Sequence, residues 1–281
     1  MRKISHLVLS TVLPCIALAG QDQNNDRFDV ASVKAVERPS LGERRGCTGG
    51  PGTLSPMNWT CAHVQLTDLI FRAYDLELYQ SKRPEWVDEI FLSVAARAPE
   101  GTTKEQFRRM QQNLLEERFK LAFHREPREA TVYTLFVGRS GLRMHASAEG
   151  SPAAETEWSR VPGATIGPDR YPVFPEGKQG LMGVNNHIRW RSSNVTTADI
   201  VKVLRRAKKT DVVDGTGLNE KYDVDIFWEN ESFDIAPHPH PFDGPEIEKA
   251  LQDRLGLRLE SKKGTVSVFV IDHIEKKPVE N

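Results

Sequence analysis

The residues of this chain best suited to chemistry are its histidines, cysteines and paired aspartates, and each set can be weighed on type and spacing. Pro237-His-Pro-His-Pro241 places two imidazoles near Asp234 and Asp243, and imidazole with carboxylate is a donor set for a divalent transition metal. Alternating prolines hold such a segment extended and turn His238 and His240 apart, so it reads first as an exposed proline-rich loop. Cys47, Cys61 and His63 are a second donor set, but their spacing matches no zinc pattern and no fourth ligand is evident. Two cysteines in an oxidising compartment pair most simply with each other, and closing that loop is worth about 3 kcal/mol in the chain-entropy model.

His124, in His124-Arg-Glu126, would be a general base if a nucleophile approached it. No motif marks such a partner, and the residue reads as a surface histidine on an edge strand. Asp223 and Asp225 share one face of a strand, as paired carboxylates do in glycoside hydrolysis; an exposed strand face needs no such role. Gly138-Arg-Ser-Gly141 lacks the spacing of a nucleophile elbow, and Gly46-Cys-Thr-Gly-Gly-Pro-Gly52 lacks the Lys-Ser/Thr ending of a phosphate loop. Asn58-Trp-Thr60 fits a glycosylation pattern that is common by chance. The sequence thus assigns no catalytic, cofactor-binding or metal-ligating residue. Its one specific bond is the disulfide Cys47–Cys61.

The elements that would position these residues occur twice. Trp59, Val64, Asp68 and Leu69 correspond to Trp190, Val195, Asp199 and Ile200 at a constant offset of 131. Leu115 to Phe123 then lines up with Leu251 to Leu259, and Thr131 to Val137 with Thr265 to Ile271, the turn being two residues longer in the first copy. Leu66, Leu69, Ile70 and Ala73 recur at helical spacing, as do Ile200, Val203, Leu204 and Ala207. Thr196 is a good N-cap, with Val195 and Ile200 placed as a hydrophobic staple. Strands follow at 91–95 and 222–227, the second alternating strictly between acidic and apolar residues.

Thr103 and Gln106 form a capping box ahead of a stripe of Phe107, Met110, Leu114 and Leu115, which reads as core. The matching helix opens at Asp243-Gly-Pro245 and runs through Ile247, Ala250, Leu251 and Leu255. Hairpins are expected to close each half, 121–125 with 132–137 and 257–260 with 266–271 around Lys262-Lys-Gly264. An extra strand at 28–34 precedes the first half. The expectation is an α+β protein of two tandem βαβαββ-like units with mixed or antiparallel sheets. The boundaries are 1–19 for a signal peptide, 20–140 and 181–281 for the units, and 141–180 for a Gly-, Pro- and Ser-rich irregular linker.

Composition narrows the function classes. The 281 residues carry 38 basic and 39 acidic side chains, a formal charge of −1. Interspersed charge of that balance gives no footprint for nucleic acid. Arg2 and Lys3, the apolar run from Leu7 to Ala19 and the small residues of Ala17-Leu-Ala19 read as a secretory signal cleaved near Ala19. A lipid anchor on Cys15 competes with that reading, but Pro14 and the apolar residues after Cys15 do not suit it. No later stretch approaches the roughly 20 apolar residues of a membrane helix. The expected location is periplasmic or secreted.

Phe28-Asp-Val-Ala-Ser-Val-Lys34, Pro84-Glu-Trp-Val-Asp88, the run 115–126, Val213-Asp-Gly-Thr-Gly-Leu218, Tyr222-Asp-Val-Asp-Ile226 and Val270-Ile-Asp-His-Ile-Glu275 closely resemble the soil-associated protein family. Those are exported proteins of unknown function, many to a genome in soil acidobacteria. The resemblance implies export and no activity. Related domains joined to membrane-bound sensor peptidases imply a sensing or binding role; the His-Glu-x-x-His of a zinc peptidase does not occur here. Val212-Val-Asp214 and Ala250-Leu-Gln-Asp-Arg-Leu-Gly-Leu257 also resemble the short N-terminal modules of secretins and TonB-dependent receptors, which implies contact with another envelope protein by surface or strand edge. The expectation is a non-enzymatic, cofactor-free binding protein of the envelope. A hydrolase with an unrecognised site, or a small-molecule sensor, is the alternative.

Overall fold

The computed structural model describes residues 26–40, 42–230 and 244–279; the expected leader and the His238/His240 segment lie outside them. In chain order the strands and helices are β1 (Val30–Val36), β2 (Gly46–Gly49), β3 (Asn58–Gln65), α1 (Leu66–Tyr74), β4 (Ser81–Lys82), β5 (Phe91–Arg97), α2 (Lys104–Phe119) and β6 (Ala122–Val137). Then come β7 (His145–Ala146), β8 (Thr165–Ile166), β9 (Pro172–Val173), β10 (Gly180–Val184), β11 (His187–Val195) and α3 (Thr197–Lys208). The chain continues through β12 (Val212–Asp214), β13 (Tyr222–Glu229), α4 (Ile247–Ala250), a wide π turn over Leu251–Leu255, and β14 (Leu257–His273). The fold is α+β, as expected. None of these helices is long and apolar enough to cross a membrane.

Contacts divide the chain into two units. One contains the described residues of Met1–Tyr74, Trp86–Lys120 and Glu275–Asn281. Its sheet is antiparallel throughout, in the order β1-β5-β3-β2. The capping box of Thr103 and Gln106 starts α2, whose Met110, Leu114, Leu115 and Phe119 are buried with Trp59, Leu69 and Leu92. Phe107 meets Trp59 and Phe28 edge-on, at 5.6 and 5.4 Å between ring centres.

The second unit holds Asp75–Glu85 and Leu121–Ile274, with sheets in the orders β12-β6-β14-β4 and β10-β11-β13-β7. Its core is built on Trp190, Trp228, Leu181, Ile188, Ile200 and Leu257, all at most 2% exposed. Residues 141–180, expected as a linker, belong to this unit, and Met144, Val161, Tyr171 and Phe174 are buried in it. The grouping also departs from the expected boundary at residue 140.

The reason lies in the two expected hairpins, neither of which closes. β6 and β14 each run straight through the expected turn and pair with one another over sixteen positions, from Val137↔Leu257 to Ala122↔His273. Tight two-residue hairpins need positive-φ residues such as Asn-Gly, and neither 126–130 nor 261–264 supplies one; Gly264 is not left-handed here. Its missing side chain admits Val132 instead, since a Cβ at Gly264 would come within 2.5 Å of Val132 Cγ2. One continuous ladder satisfies the backbone groups that two short hairpins would have left at their turns.

The order strand, helix, strand, helix, long strand occurs twice. β3 slips register between Cys61 and Val64, and β11 between Ser192 and Val195. Both bulges carry a left-handed residue, His63 at φ 45° and Asn194 at φ 55°. A bulge turns the strand by one residue, which sends Val64 and Val195 inward at the mouth of the following helix. Left-handed Lys120 and Gly256 likewise end the two later helices.

Candidate functional site

The site with the most buried polar chemistry is built where β11 and β13 end in the second unit. Val184-Asn-Asn-His187 is a two-residue hairpin with Asn185 and Asn186 both at positive φ, 46° and 69°, as a primed turn requires. That turn delivers His187 as the first residue of β11, directly opposite Glu229 of β13. Along β13, Tyr222, Val224, Ile226 and Trp228 face the core, while Asp223, Asp225, Phe227 and Glu229 share the other face. That face is wet at its start and covered at its end.

His187 is 4% exposed. Its Nδ1 lies 2.8 Å from the Asn185 carbonyl oxygen. A carbonyl only accepts, so Nδ1 carries a hydrogen and donates it to that oxygen. Nε2 faces Glu229 Oε1 at 3.8 Å, and the Glu229 side chain is itself only 8% exposed. The other carboxylate oxygen accepts from the Gly244 N–H at 2.9 Å, and the Glu229 N–H donates to the Pro245 carbonyl at 3.0 Å. Tyr171 closes the cluster, edge-on to His187 at 4.9 Å and tilted against Phe227 at 4.8 Å.

Phe227 forms the wall between this cluster and an open cleft of about 620 Å³. Among the described residues the cleft is lined by Phe227, Gly244, Pro245, Ala250 and the charged Glu246, Lys249, Asp253 and Arg254. The π turn after α4 presents Asp253 and Arg254 to it, and left-handed Gly256 ends that turn against the Gly141 carbonyl. The Arg254 guanidinium lies over the Phe227 ring, 4.4 Å from its centre. Lys249 is held by Asp253 at 2.7 Å, and that contact lowers the Asp253 carboxyl below its usual range.

A cleft of this size suits a small ligand or a peptide segment, with aromatic and apolar walls and a few placed charges. The buried cluster stiffens its wall. His187 spends Nδ1 on a backbone carbonyl, and its buried Nε2, 3.8 Å from Glu229, has no hydrogen-bond partner among the described residues.

The residues singled out in the sequence go elsewhere. Cys47 and Cys61 form the expected disulfide between directly opposed positions of β2 and β3. His63 sits in the β3 bulge against the Arg44 carbonyl at 3.2 Å. His124 lies on the exposed ribbon and pairs with Asp272 across it at 2.8 Å. Asp225 takes two bonds from Arg189, at 2.9 and 2.8 Å, and one from Arg191 at 3.1 Å, and Asp223 accepts from the Ser147 hydroxyl. These carboxylates hold arginines and a loop. Among the described residues no group of three or more His, Cys, Asp or Glu is placed to hold a metal.

Sequence reasoning missed His187, Glu229, Tyr171 and Arg254. The signal for Glu229 was present, because the alternation begun at Asp223 continues to Phe227 and Glu229. The Asn-Asn turn that aligns His187 with it was also legible. Tyr171 comes from a segment with no periodicity, and nothing local marks its role.

A family model described as protein of unknown function, DUF3738, matches residues 67–274. No curated protein and no solved structure matches the chain.

Proposed function

We propose that this chain, which belongs to the DUF3738 family of proteins of unknown function, is an exported, non-enzymatic binding protein of the cell envelope. Its ligand enters the cleft beside Phe227. The observation that carries this reading is the cleft itself, an open space of about 620 Å³ with an aromatic wall and charged rim, backed by a buried polar cluster that fixes the wall. Export is supported by the leader-like residues at the start of the chain and fits the disulfide of Cys47 and Cys61, a bond of oxidising compartments. The motifs resembling the soil-associated protein family support placing the chain among those exported proteins. The two runs of strand, helix, strand and helix, with bulges at matching positions, support an ancestral duplication. The resemblance to secretin and receptor modules favours a protein or peptide as the bound species.

Thermal unfolding of the mature chain in serial dilutions of a native envelope extract tests the reading. A dose-dependent rise in melting temperature, absent in Phe227→Ala, is expected, because a species that binds only the folded state raises its stability. A melting temperature indifferent to the extract, or equally shifted in Phe227→Ala, contradicts it.

A further inference from the structure

The charges on the cleft wall narrow the class of ligand. Of the four charged side chains that line it among the described residues, Lys249 and Asp253 neutralise one another at 2.7 Å. Arg254 and Glu246 remain, and among the described residues neither forms an ion pair. Arg254 is not a freely sampling surface arginine. Its guanidinium rests on the Phe227 ring at 4.4 Å, that ring on Tyr171 at 4.8 Å, and Tyr171 on buried His187 at 4.9 Å. A guanidinium resting over a ring keeps its planar set of N–H donors for a further partner. That fork matches the two oxygens of a carboxylate.

We propose that the cleft takes the free C-terminal end of a short peptide. The Arg254 fork receives the terminal carboxylate, Glu246 attracts an amino group further along, and Phe227, Pro245 and Ala250 contact side-chain carbon. This rests on the binding reading above and names the ligand class for the same cleft. The charge pattern selects a zwitterion: a phosphate or polyanion drawn to Arg254 also meets Glu246, whose like charge opposes it. The volume of about 620 Å³ exceeds what a single free amino acid fills and favours two or more residues.

Calorimetric titration of the full mature chain with L-alanyl-L-alanine and with its C-terminal amide is the test. The free acid is expected to bind, and the amide at least about ten-fold more weakly, as loss of one charge-assisted hydrogen-bonded contact implies. Arg254→Gln, at an exposed position that leaves the circular dichroism spectrum unchanged, is expected to abolish that preference. Equal binding of acid and amide overturns the carboxylate assignment and leaves the binding reading standing. If neither dipeptide binds while the envelope extract still raises the melting temperature, the peptide class is wrong. If the extract is also without effect, the binding reading itself fails.

Discussion

At the scale of single residues, the facing pair of His187 and Glu229 is the sharpest feature. Both side chains are nearly sealed from water, at 5% and 8% exposure, so removing one leaves the other without its buried partner. We expect His187→Ala to cost roughly 2–4 kcal/mol in urea unfolding, from the lost ring and the stranded carboxylate together. The same change in a Glu229→Gln background should cost clearly less, because no charge is then stranded. Equal costs in the two backgrounds would show that the pair does not interact.

A second residue-scale prediction concerns acid. Burial pushes the Glu157 carboxyl up, but hydrogen bonds from Lys202 and Arg206 prevail and hold it at about 2, below its ordinary 4.5. A lowered carboxylate contributes stability above its unfolded value, and that contribution is lost as the pH falls from 4.5 towards 2. The side chain is 58% exposed, so solvent screens the contact and the effect is small. Burial raises neighbouring Glu77 despite Arg206, which works in the opposite sense. Between pH 7 and pH 3 the urea midpoint of Glu157→Gln should therefore fall less than that of the parent chain. Parallel falls would contradict the assignment.

At the scale of elements, much of the fold was legible. The capping box at Thr103 and the N-cap at Thr196 place α2 and α3, and apolar spacing from Leu66 and Ile200 gives the buried faces of α1 and α3. Strand alternation in β13 gives the wet face of Asp223 and Asp225. The partners of β6 and β14 were not legible, because each sequence suits an antiparallel arm and nothing local says whether that arm folds on itself or on its counterpart. Long-range pairing decides it, and Gly264 beneath Val132 is a trace visible only once the register is known. Native-state hydrogen exchange discriminates the two arrangements. The continuous ladder puts residues 127–132 and 261–266 in mid-strand, so their inward-bonded amides should exchange slowly; rapid exchange confined to 262–264 would indicate the closed turns instead.

At the scale of the whole molecule, each unit follows from its own sheet. The first is a four-stranded antiparallel sheet stapled at β2 and β3 by Cys47–Cys61 and covered by α1 and α2. The second carries the ribbon, the hairpin that aligns His187 with Glu229, and the cleft. Its site is assembled from residues 171, 187, 227, 229 and 244–254, which tertiary structure brings together. The proposal of export, in contrast, rests entirely on the sequence, on the leader-like pattern and the paired cysteines.

Everything functional turns on whether something binds beside Phe227. Hydrogen–deuterium exchange of the chain, resolved by peptide and compared with and without native envelope extract, addresses that directly. Slowed exchange concentrated at 225–229 and 244–256, with the antiparallel sheet of the first unit unchanged, is the expected result. Protection confined to the first unit, or none at 244–256, would contradict a binding role for the cleft.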